Sequence, residues 1–222
     1  QIVYQYLTAM EKAKEMQGLD TGIIRMGTIA SISEHWLPGL LKEFQKQYPK
    51  VEFVLHQGDY MTIPEWIKTG AVDFGFVNPK AVSGLNTITL KDGAMLAVLP
   101  ENHPLAEMDI IPLSMIANES YILMETGNYY EPMEAFKSVG VTPNIKYTIH
   151  DDYSIMAMVE AGLGVSILAE LILKHTNYQI VLRPTDPPVT RTISIGYKSN
   201  AHLPIASKRF IEFIRAHINE LP

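Results

Sequence analysis

Short apolar runs that alternate with helical segments constrain the fold of this chain more than any other feature of its sequence. Three runs with the β-branched character of strands lie at residues 22–27, 51–55 and 72–77. Between them, one helical pattern continues to about Tyr48, and a second, shorter one ends at Gly70. Strand, helix and strand in this order predict βαβ units, in which helices cover a parallel sheet.

The loop after the first strand has two compatible interpretations. Thr28, Ser31 and Ser33 lie where a strand runs into a helix, and free backbone N–H groups and the helix dipole favour an anion there. Alternatively, Ser31 or Ser33 caps the helix. For the next helix, the sequence from Thr62 to Glu65 has the pattern of a capping box.

The same alternation resumes in the second half of the chain and predicts a second α/β unit. Strands are expected at residues 95–99, 121–124, 145–149, 165–168 and 192–197. Helices are expected at about residues 130–138, at 150–161 and after Pro204.

Polar residues follow two of the strands in the first unit. The Ser31 loop follows the first strand, and Asn78 comes directly after the third. In open α/β sheets, ligands bind at the carboxyl ends of the strands. The sequence therefore predicts that these two polar loops lie at one edge of the sheet.

Composition argues against several classes of function. The net charge of −6 gives no indication of a nucleic-acid surface, and the lack of cysteine excludes disulfides, thiolate metal sites and thiol redox sensing. No apolar run reaches the roughly 20 residues of a membrane span. The seven histidines lack metal-site spacing, and no nucleophile elbow or phosphate-binding loop is present. We expect no metal, no cofactor and no enzymatic activity.

Residues 1–17 predict a helix whose apolar positions repeat every three and four residues, from Ile2 to Met16. Two interpretations remain open: a coiled-coil seam, or an amphipathic helix that packs on its own domain. Since the sequence begins with Gln1 rather than methionine, we expect it to be a piece of a longer protein.

Five sequence segments, in this order and at this spacing, resemble the effector-binding domain of LysR-type transcriptional regulators. The matching segments are residues 22–27, Leu37-Pro38 with Phe44 and Tyr48-Pro49, residues 70–76, residues 103–106 and residues 159–168. Ala169 occupies a position where the family usually has proline. Each segment is a weak signal alone, and together they cover nearly the whole chain.

The resemblance implies an α/β fold: two Rossmann-like subdomains joined by two crossover strands, the type 2 periplasmic-binding-protein fold. Residues 1–20 would form the end of a linker helix, residues 21–95 plus 198–222 subdomain I, and residues 96–197 subdomain II. The family's winged helix-turn-helix would precede this domain in the full protein.

The resemblance also implies a function and a binding site. The chain would be the small-molecule sensor of a bacterial, cytoplasmic regulator that forms a homodimer or homotetramer and contacts DNA only through its missing domain, without a membrane partner. The effector would bind in the cleft between the subdomains. The positions carried over as ligand-binding residues are Thr28, Ser31, Ile32, Asn78, Glu125, Thr126, Asn128, His150, Asp151 and Ser166.

Alternatives to these assignments remain open. His150 is equally suited to capping the following helix, and Glu125 to a solvated surface position. In a cleft, Glu125 and Asp151 disfavour a dicarboxylate, whereas helix-end N–H groups favour an acid, so the charge of the ligand stays open. A solute receptor or a small-molecule enzyme would use the same fold.

Overall fold

The computed structural model describes residues 21–127 and 129–222, so the predicted linker helix at residues 1–20 lies outside the described chain. The strands are β1 (Thr21–Thr28), β2 (Lys50–Gln57), β3 (Phe74–Val77), β4 (Asn86–Pro100), β5 (Ile111–Pro112), β6 (Ser120–Met124), β7 (Asn144–Ile149), β8 (Ser166–Ala169), β9 (Ile180–Arg183), β10 (Thr185–Asp186) and β11 (Val189–Tyr197). The helices are α1 (Ala30–His35), α2 (Leu37–Gln47), α3 (Thr62–Thr69), α4 (Leu113–Ile116), α5 (Glu131–Ser138), α6 (Asp152–Glu160), α7 (Glu170–Leu173) and α8 (Ile205–His217). Single 3₁₀ turns span Pro104–Glu107, Asn200–His202 and Ile218–Glu220.

The chain divides into two compact units. Unit 1 contains the described residues up to Lys91 together with Thr192–Pro222, and unit 2 contains Asp92–Arg191. Both divisions fall inside long strands, β4 and β11. The polypeptide therefore passes from one unit to the other along these two strands.

The sheet of unit 1 has β1 between β2 and β3, and β1 is parallel to both. Met26 is paired with Leu55 on one side and with Phe74 on the other. The end of β11 adds an antiparallel strand beside β3, where Ile195 is paired with Phe76. The parallel sheet predicted from the first three apolar runs is confirmed.

Two paired glycines let α3 lie close to this sheet. Gly27 of β1 is opposite Gly75 of β3. A Cβ atom would lie 2.8 Å from the Ile63 Cγ2 atom at Gly27 and 2.5 Å from it at Gly75. Ile63 is completely buried, so the helix uses the space that the missing side chains leave. This contact supports the ends of both strands, from which the predicted binding loops emerge.

A buried carboxylate joins three elements of unit 1. Asp73 is 5% exposed and precedes β3. Its Oδ2 atom accepts from the Arg25 backbone N at 3.0 Å and from the Ser207 hydroxyl of α8 at 2.8 Å. Hydrogen bonds of this kind offset the cost of burying the carboxylate.

Unit 2 pairs the second half of β4 with two antiparallel strands. Leu96 is opposite Leu168 of β8, and Val98 is opposite Leu182 of β9. A separate parallel pair joins β6 to β7, and a shorter one joins β5 to β10. The core contains Tyr121 and Phe136, whose rings meet edge to face with centroids 5.3 Å apart.

Two strand predictions are corrected. β4 begins at Asn86, not at Met95, and β9 was not predicted at all. The first half of β4 is largely exposed on both faces, and the four residues of β9 are only partly buried. The first half of β4 lacks the apolar run on which the prediction relied. β9 has such a run, but only three residues long, which is too short to be assigned by periodicity.

Both predicted helix caps are also corrected. Neither Ser31 nor Ser33 caps α1, because its N-cap is Ile29 and both serines lie inside the helix. At α3, the reciprocal pair is Asp59 with Thr62: the Asp59 Oδ1 atom accepts from the Thr62 N at 2.7 Å, and the Thr62 hydroxyl accepts from the Asp59 N at 3.0 Å. The capping interaction therefore begins three residues earlier than predicted.

Candidate ligand-binding loops

Unit 1 places two predicted binding residues at the ends of adjacent parallel strands. Thr28 is the last residue of β1, and Asn78 follows β3 directly. Each is 1% exposed, although both are polar. The Asn78 Oδ1 atom accepts from the Lys80 N at 2.8 Å, which holds the loop in a tight turn. The predicted meeting of the two loops at one edge of the sheet agrees with the pairing of β1 and β3.

The hydroxyl group of Ser33 in α1 holds the loop that connects β1 to α1. The Ser33 hydroxyl donates to the Thr28 Oγ1 atom at 3.1 Å and lies 3.2 Å from the Ile29 carbonyl oxygen. Ser31 is 3% exposed, and Ile32 is completely buried. Because the N-cap Ile29 has no side-chain acceptor, the first turn of α1 lacks the side-chain cap that the sequence predicted.

Unit 2 brings Glu125 and His150 together. Glu125 follows β6 and His150 follows β7, and the Glu125 backbone N donates to the Ile149 carbonyl at 2.8 Å. His150 faces Glu125 twice: its Nδ1 atom is 3.0 Å from the Glu125 carbonyl oxygen, and its Nε2 atom is 3.2 Å from the Oε2 atom. Both partners are acceptors, so the ring donates from Nδ1, and from Nε2 as well when it is protonated.

Asp151 is the N-cap of α6. Its Oδ2 atom accepts from the Ser154 backbone N at 2.7 Å and from the Ser154 hydroxyl at 2.6 Å. The alternative in which His150 caps this helix is therefore wrong, since the neighbouring aspartate takes that role. The Asp151 carboxylate is exposed but already engaged by the helix.

The other predicted residues of unit 2 have different positions. Thr126 donates from its hydroxyl to the Tyr129 carbonyl at 3.2 Å, within the loop between β6 and α5. Asn128 lies outside the described residues. Ser166 is completely buried and donates to the Ile122 carbonyl at 2.8 Å, so it joins β8 to β6 beneath the loops.

One buried acid in this region was missed by the sequence analysis. Glu131 starts α5 directly after the loop and is 5% exposed. Its only sequence signal is an acidic residue followed by proline at the start of a helix, which also fits an ordinary first turn. Burial, with the charges of Glu131 and Glu134, raises the pKa of the nearby Tyr129. The loop between β6 and α5 is therefore followed directly by an acidic first turn of α5.

The described residues contain no group of three or more histidine, aspartate or glutamate side chains placed to hold a metal ion. Among these residues, no helix has both the length and the apolarity that a membrane crossing requires. The chemistry that the loops offer is hydrogen bonding from hydroxyl, amide and imidazole groups.

A family model described as the LysR substrate binding domain matches residues 17–219. The transcriptional regulator YvbU of Bacillus subtilis strain 168, of the helix-turn-helix type, is 30% identical over 220 residues; the match covers 96% of this chain and 75% of YvbU.

Two solved structures, each named with a small molecule, have the same fold. One is the regulatory domain of Synechocystis PCC6803 CcmR in complex with 2-PG, with a TM-score of 0.79 and 21% identity over 88% of this chain and 97% of the other. The other is the effector-binding domain of QuiR in complex with shikimate, with a TM-score of 0.79 and 24% identity over 90% and 98% of the two chains. These similarities confirm the predicted type 2 periplasmic-binding-protein fold.

Proposed function

The chain belongs to the LysR substrate-binding domain family, and we propose that it is the effector-sensing part of a bacterial transcriptional regulator. A small molecule binds in the cleft between the subdomains, at the loops described above. In this proposal the regulator works in the cytoplasm, and DNA contact belongs to a helix-turn-helix domain of the kind named in relatives such as YvbU. The negative net charge of this chain supports the assignment of DNA contact to another domain, because DNA binding needs a basic surface.

One observation carries the proposal beyond family membership. Thr28 and Asn78 are polar, almost inaccessible, and located at the carboxyl ends of neighbouring parallel strands. This edge is where α/β sheets bind ligands. Buried hydroxyl and amide groups are suited to holding the polar atoms of a small molecule in a fixed orientation.

The contacts in unit 2 favour a ligand that carries an acidic group. Asp151 is engaged in capping α6, and Glu125 faces the His150 ring. Both carboxylates therefore already have a partner within the protein, and Glu131, the third acid near the loop, is buried. The 2-PG and shikimate complexes of the neighbouring structures support the choice of small organic acids as the first ligands to test.

Sensing requires that the ligand distinguish two states of the protein. A molecule shifts the equilibrium between an open and a closed cleft only by its difference in affinity for the two. The same free-energy difference then changes how an oligomer holds its DNA-binding domains. We propose no chemical step, so the ligand should be released unchanged.

A thermal-shift screen against small carboxylates, sugar phosphates, aromatic acids and amino acids tests this function. A ligand at 100 times its Kd stabilises the folded state by about 2.7 kcal/mol. For a chain of this size, that free energy raises the Tm by roughly 5–10 °C. Asn78→Ala should reduce the shift from a true effector, whereas Asn118→Ala, which changes an asparagine on the exposed end of α4, should not.

The same screen separates the alternatives. A compound that raises the Tm and is recovered unchanged after prolonged incubation supports a sensor. A compound that is consumed indicates an enzyme on this fold and contradicts the proposal. A saturable shift that Asn78→Ala does not alter would show that the effector binds elsewhere.

An edge strand supports the proposed oligomer. β2 is paired with β1 on one side, and Val54 and Leu55 are 40% and 44% exposed. We propose a dimer in which α1 and α2 of one chain pack against α8 of another, with β2 beside them. Light scattering should show a dimer that Val54→Glu weakens. Ile110→Glu, at an apolar residue of unit 2 that is 54% exposed, should leave it intact.

A further inference from the structure

A cavity of about 410 Å³ lies in unit 1 at the edge of the sheet where β3 begins. Its lining includes Val72 and Asp73, just before β3, and Lys198, just after the antiparallel strand β11. Asn78 follows the other end of β3, and Thr28 is the last residue of β1, which is parallel to β3. The cavity is therefore separate from the candidate binding loops.

The apolar part of the cavity comes from three buried side chains. Ile67 of α3 and Val72 are each 1% exposed, and Leu203, which precedes α8, is 5% exposed. A volume of this size and an apolar wall are typical of sites for small organic molecules.

Lys198 supplies a positive charge that no described carboxylate neutralises. Its Nζ atom donates to the Lys68 carbonyl oxygen at the end of α3, over 3.2 Å. An ammonium group has three N–H donors, so two remain for another acceptor. Both Lys198 and its acceptor residue Lys68 line the cavity.

His202 lies beside Lys198 in the lining and is oriented by its neighbour. Its Nδ1 atom is hydrogen-bonded to the Ser199 hydroxyl. The Nε2 atom is left for a ligand, since the hydrogen bond to Ser199 uses the other ring nitrogen. The turn at Asn200–His202 thus places a lysine and a histidine next to the same apolar wall.

The acidic groups near the cavity are already engaged. Asp73 is 5% exposed, and its carboxylate accepts from the Arg25 N and the Ser207 hydroxyl. Glu65 is 2.9 Å from the Lys68 ammonium, which also lines the cavity. The exposed charged groups of the lining, Lys68 and Lys198, are therefore both positive, whereas the Asp73 carboxylate is buried.

We propose that this cavity is a second ligand site, which binds a small organic anion. The carboxylate or phosphoryl group of the anion contacts Lys198 and His202, and its apolar part lies against Ile67, Val72 and Leu203. The site holds its ligand independently of the loops at the opposite ends of the strands.

Amide NMR of the 222-residue chain during titration with sodium butyrate tests the site. Butyrate should cause saturable shifts at Gly70, Ser199 and His202, whereas sodium chloride at equal ionic strength should not. Lys198→Gln should weaken butyrate about tenfold, since a hydrogen bond to a charged group is lost. Lys46→Gln, which removes a lysine paired with Glu43 on α2, should leave the affinity unchanged.

Further arms of the experiment decide the ligand class and the independence of the site. Asn78→Ala should bind butyrate as the wild type does, and His202→Gln should weaken it. Inorganic phosphate that binds while butyrate does not would contradict the organic part of the proposal. Butyrate shifts that chloride reproduces, or that Lys198→Gln leaves unchanged, would overturn the site.

Discussion

The two units hold their strand-end loops by different means. In unit 1, Thr28, Ser31 and Asn78 are at most 3% exposed, and partly buried hydrogen bonds hold Thr28 and Asn78. In unit 2, His150 and Glu125 keep 69% and 53% of their side-chain surface exposed, and the His150 Nε2 atom lies 3.2 Å from the Glu125 Oε2 atom. Buried polar groups are costly to disturb, whereas exposed ion pairs contribute little to stability. The loop ends of unit 1 are therefore held by contacts that are costly to break, and those of unit 2 by exposed contacts that cost little to rearrange.

The largest effect is expected where backbone lies against glycine. In Gly164→Ala, the new Cβ atom would collide with the Ser120 carbonyl oxygen, which cannot move without disturbing β6. In Gly75→Ala, it would lie 2.5 Å from the Cγ2 atom of the buried Ile63 and 3.1 Å from the Gly27 carbonyl oxygen, so α3 would have to move away from the sheet. Both should destabilise the fold by roughly 1–3 kcal/mol, with Gly164→Ala at the upper end or beyond. Thermal unfolding measures the difference.

A control for these variants is available in β4. Gly93→Ala meets no atom within 4 Å and should change the stability by less than about 0.5 kcal/mol. If Gly164→Ala, Gly75→Ala and Gly93→Ala all lowered the free energy of unfolding equally, the close contacts at Gly164 and Gly75 would not determine the packing of the strands.

Next in size is the loss of a buried hydroxyl in each unit. Ser207→Ala removes a donor to the Asp73 carboxylate in unit 1, and Ser166→Ala removes a donor to the Ile122 carbonyl in unit 2. Hydrogen bonds to charged groups contribute about 1.5–3 kcal/mol and neutral ones about 1 kcal/mol. Urea unfolding should therefore show the larger loss for Ser207→Ala. The reverse order would contradict the view that unit 1 has the stronger buried contacts.

A smaller effect is expected at the cap of α6. Asp151→Ala should cost about 1 kcal/mol because the Ser154 N loses its side-chain acceptor. Asp151→Asn should keep the stability within a few tenths of a kcal/mol, since asparagine caps equally well. Chemical unfolding compares the two. If asparagine destabilises the helix as much as alanine does, the carboxylate acts by its charge and not as a cap.

The smallest effect on stability is expected at His150. His150→Gln removes an exposed pair with Glu125 and should lower the free energy of unfolding by less than about 0.5 kcal/mol. Effector affinity should nevertheless fall, because the ring joins the loops after β6 and β7. Calorimetric titration with a compound from the thermal screen measures this. If His150→Gln greatly lowered the free energy of unfolding and left the effector affinity unchanged, His150 would be a structural residue and not part of the binding site.

Local pattern was enough to predict much of unit 1. The three apolar runs and the end of the second helical pattern at Gly70 depend on neighbours within one turn or one strand. Gly70 adopts a φ of 79°, which glycine tolerates because it has no Cβ atom. α2 begins one residue before Pro38, as the ring of proline requires.

Contacts between distant residues were not predictable in the same way. The pairing of His150 with Glu125 joins positions 25 residues apart and depends on the parallel register of β6 and β7, in which Met124 is opposite Ile149. The buried position of Ser166 depends on the approach of β8 to the Ile122 carbonyl. Neither the register between β6 and β7 nor the approach of β8 to β6 produces a periodic pattern in the sequence.

The sequence by itself determined the βαβ order of the first three strands, the fold class and the family. The tertiary structure decided which polar groups are engaged, such as Asp151 in its cap and Asp73 under α8. The physical reason is that propensity and periodicity act between near neighbours. Burial and hydrogen-bond partners, in contrast, depend on which distant segments the packed sheet brings together.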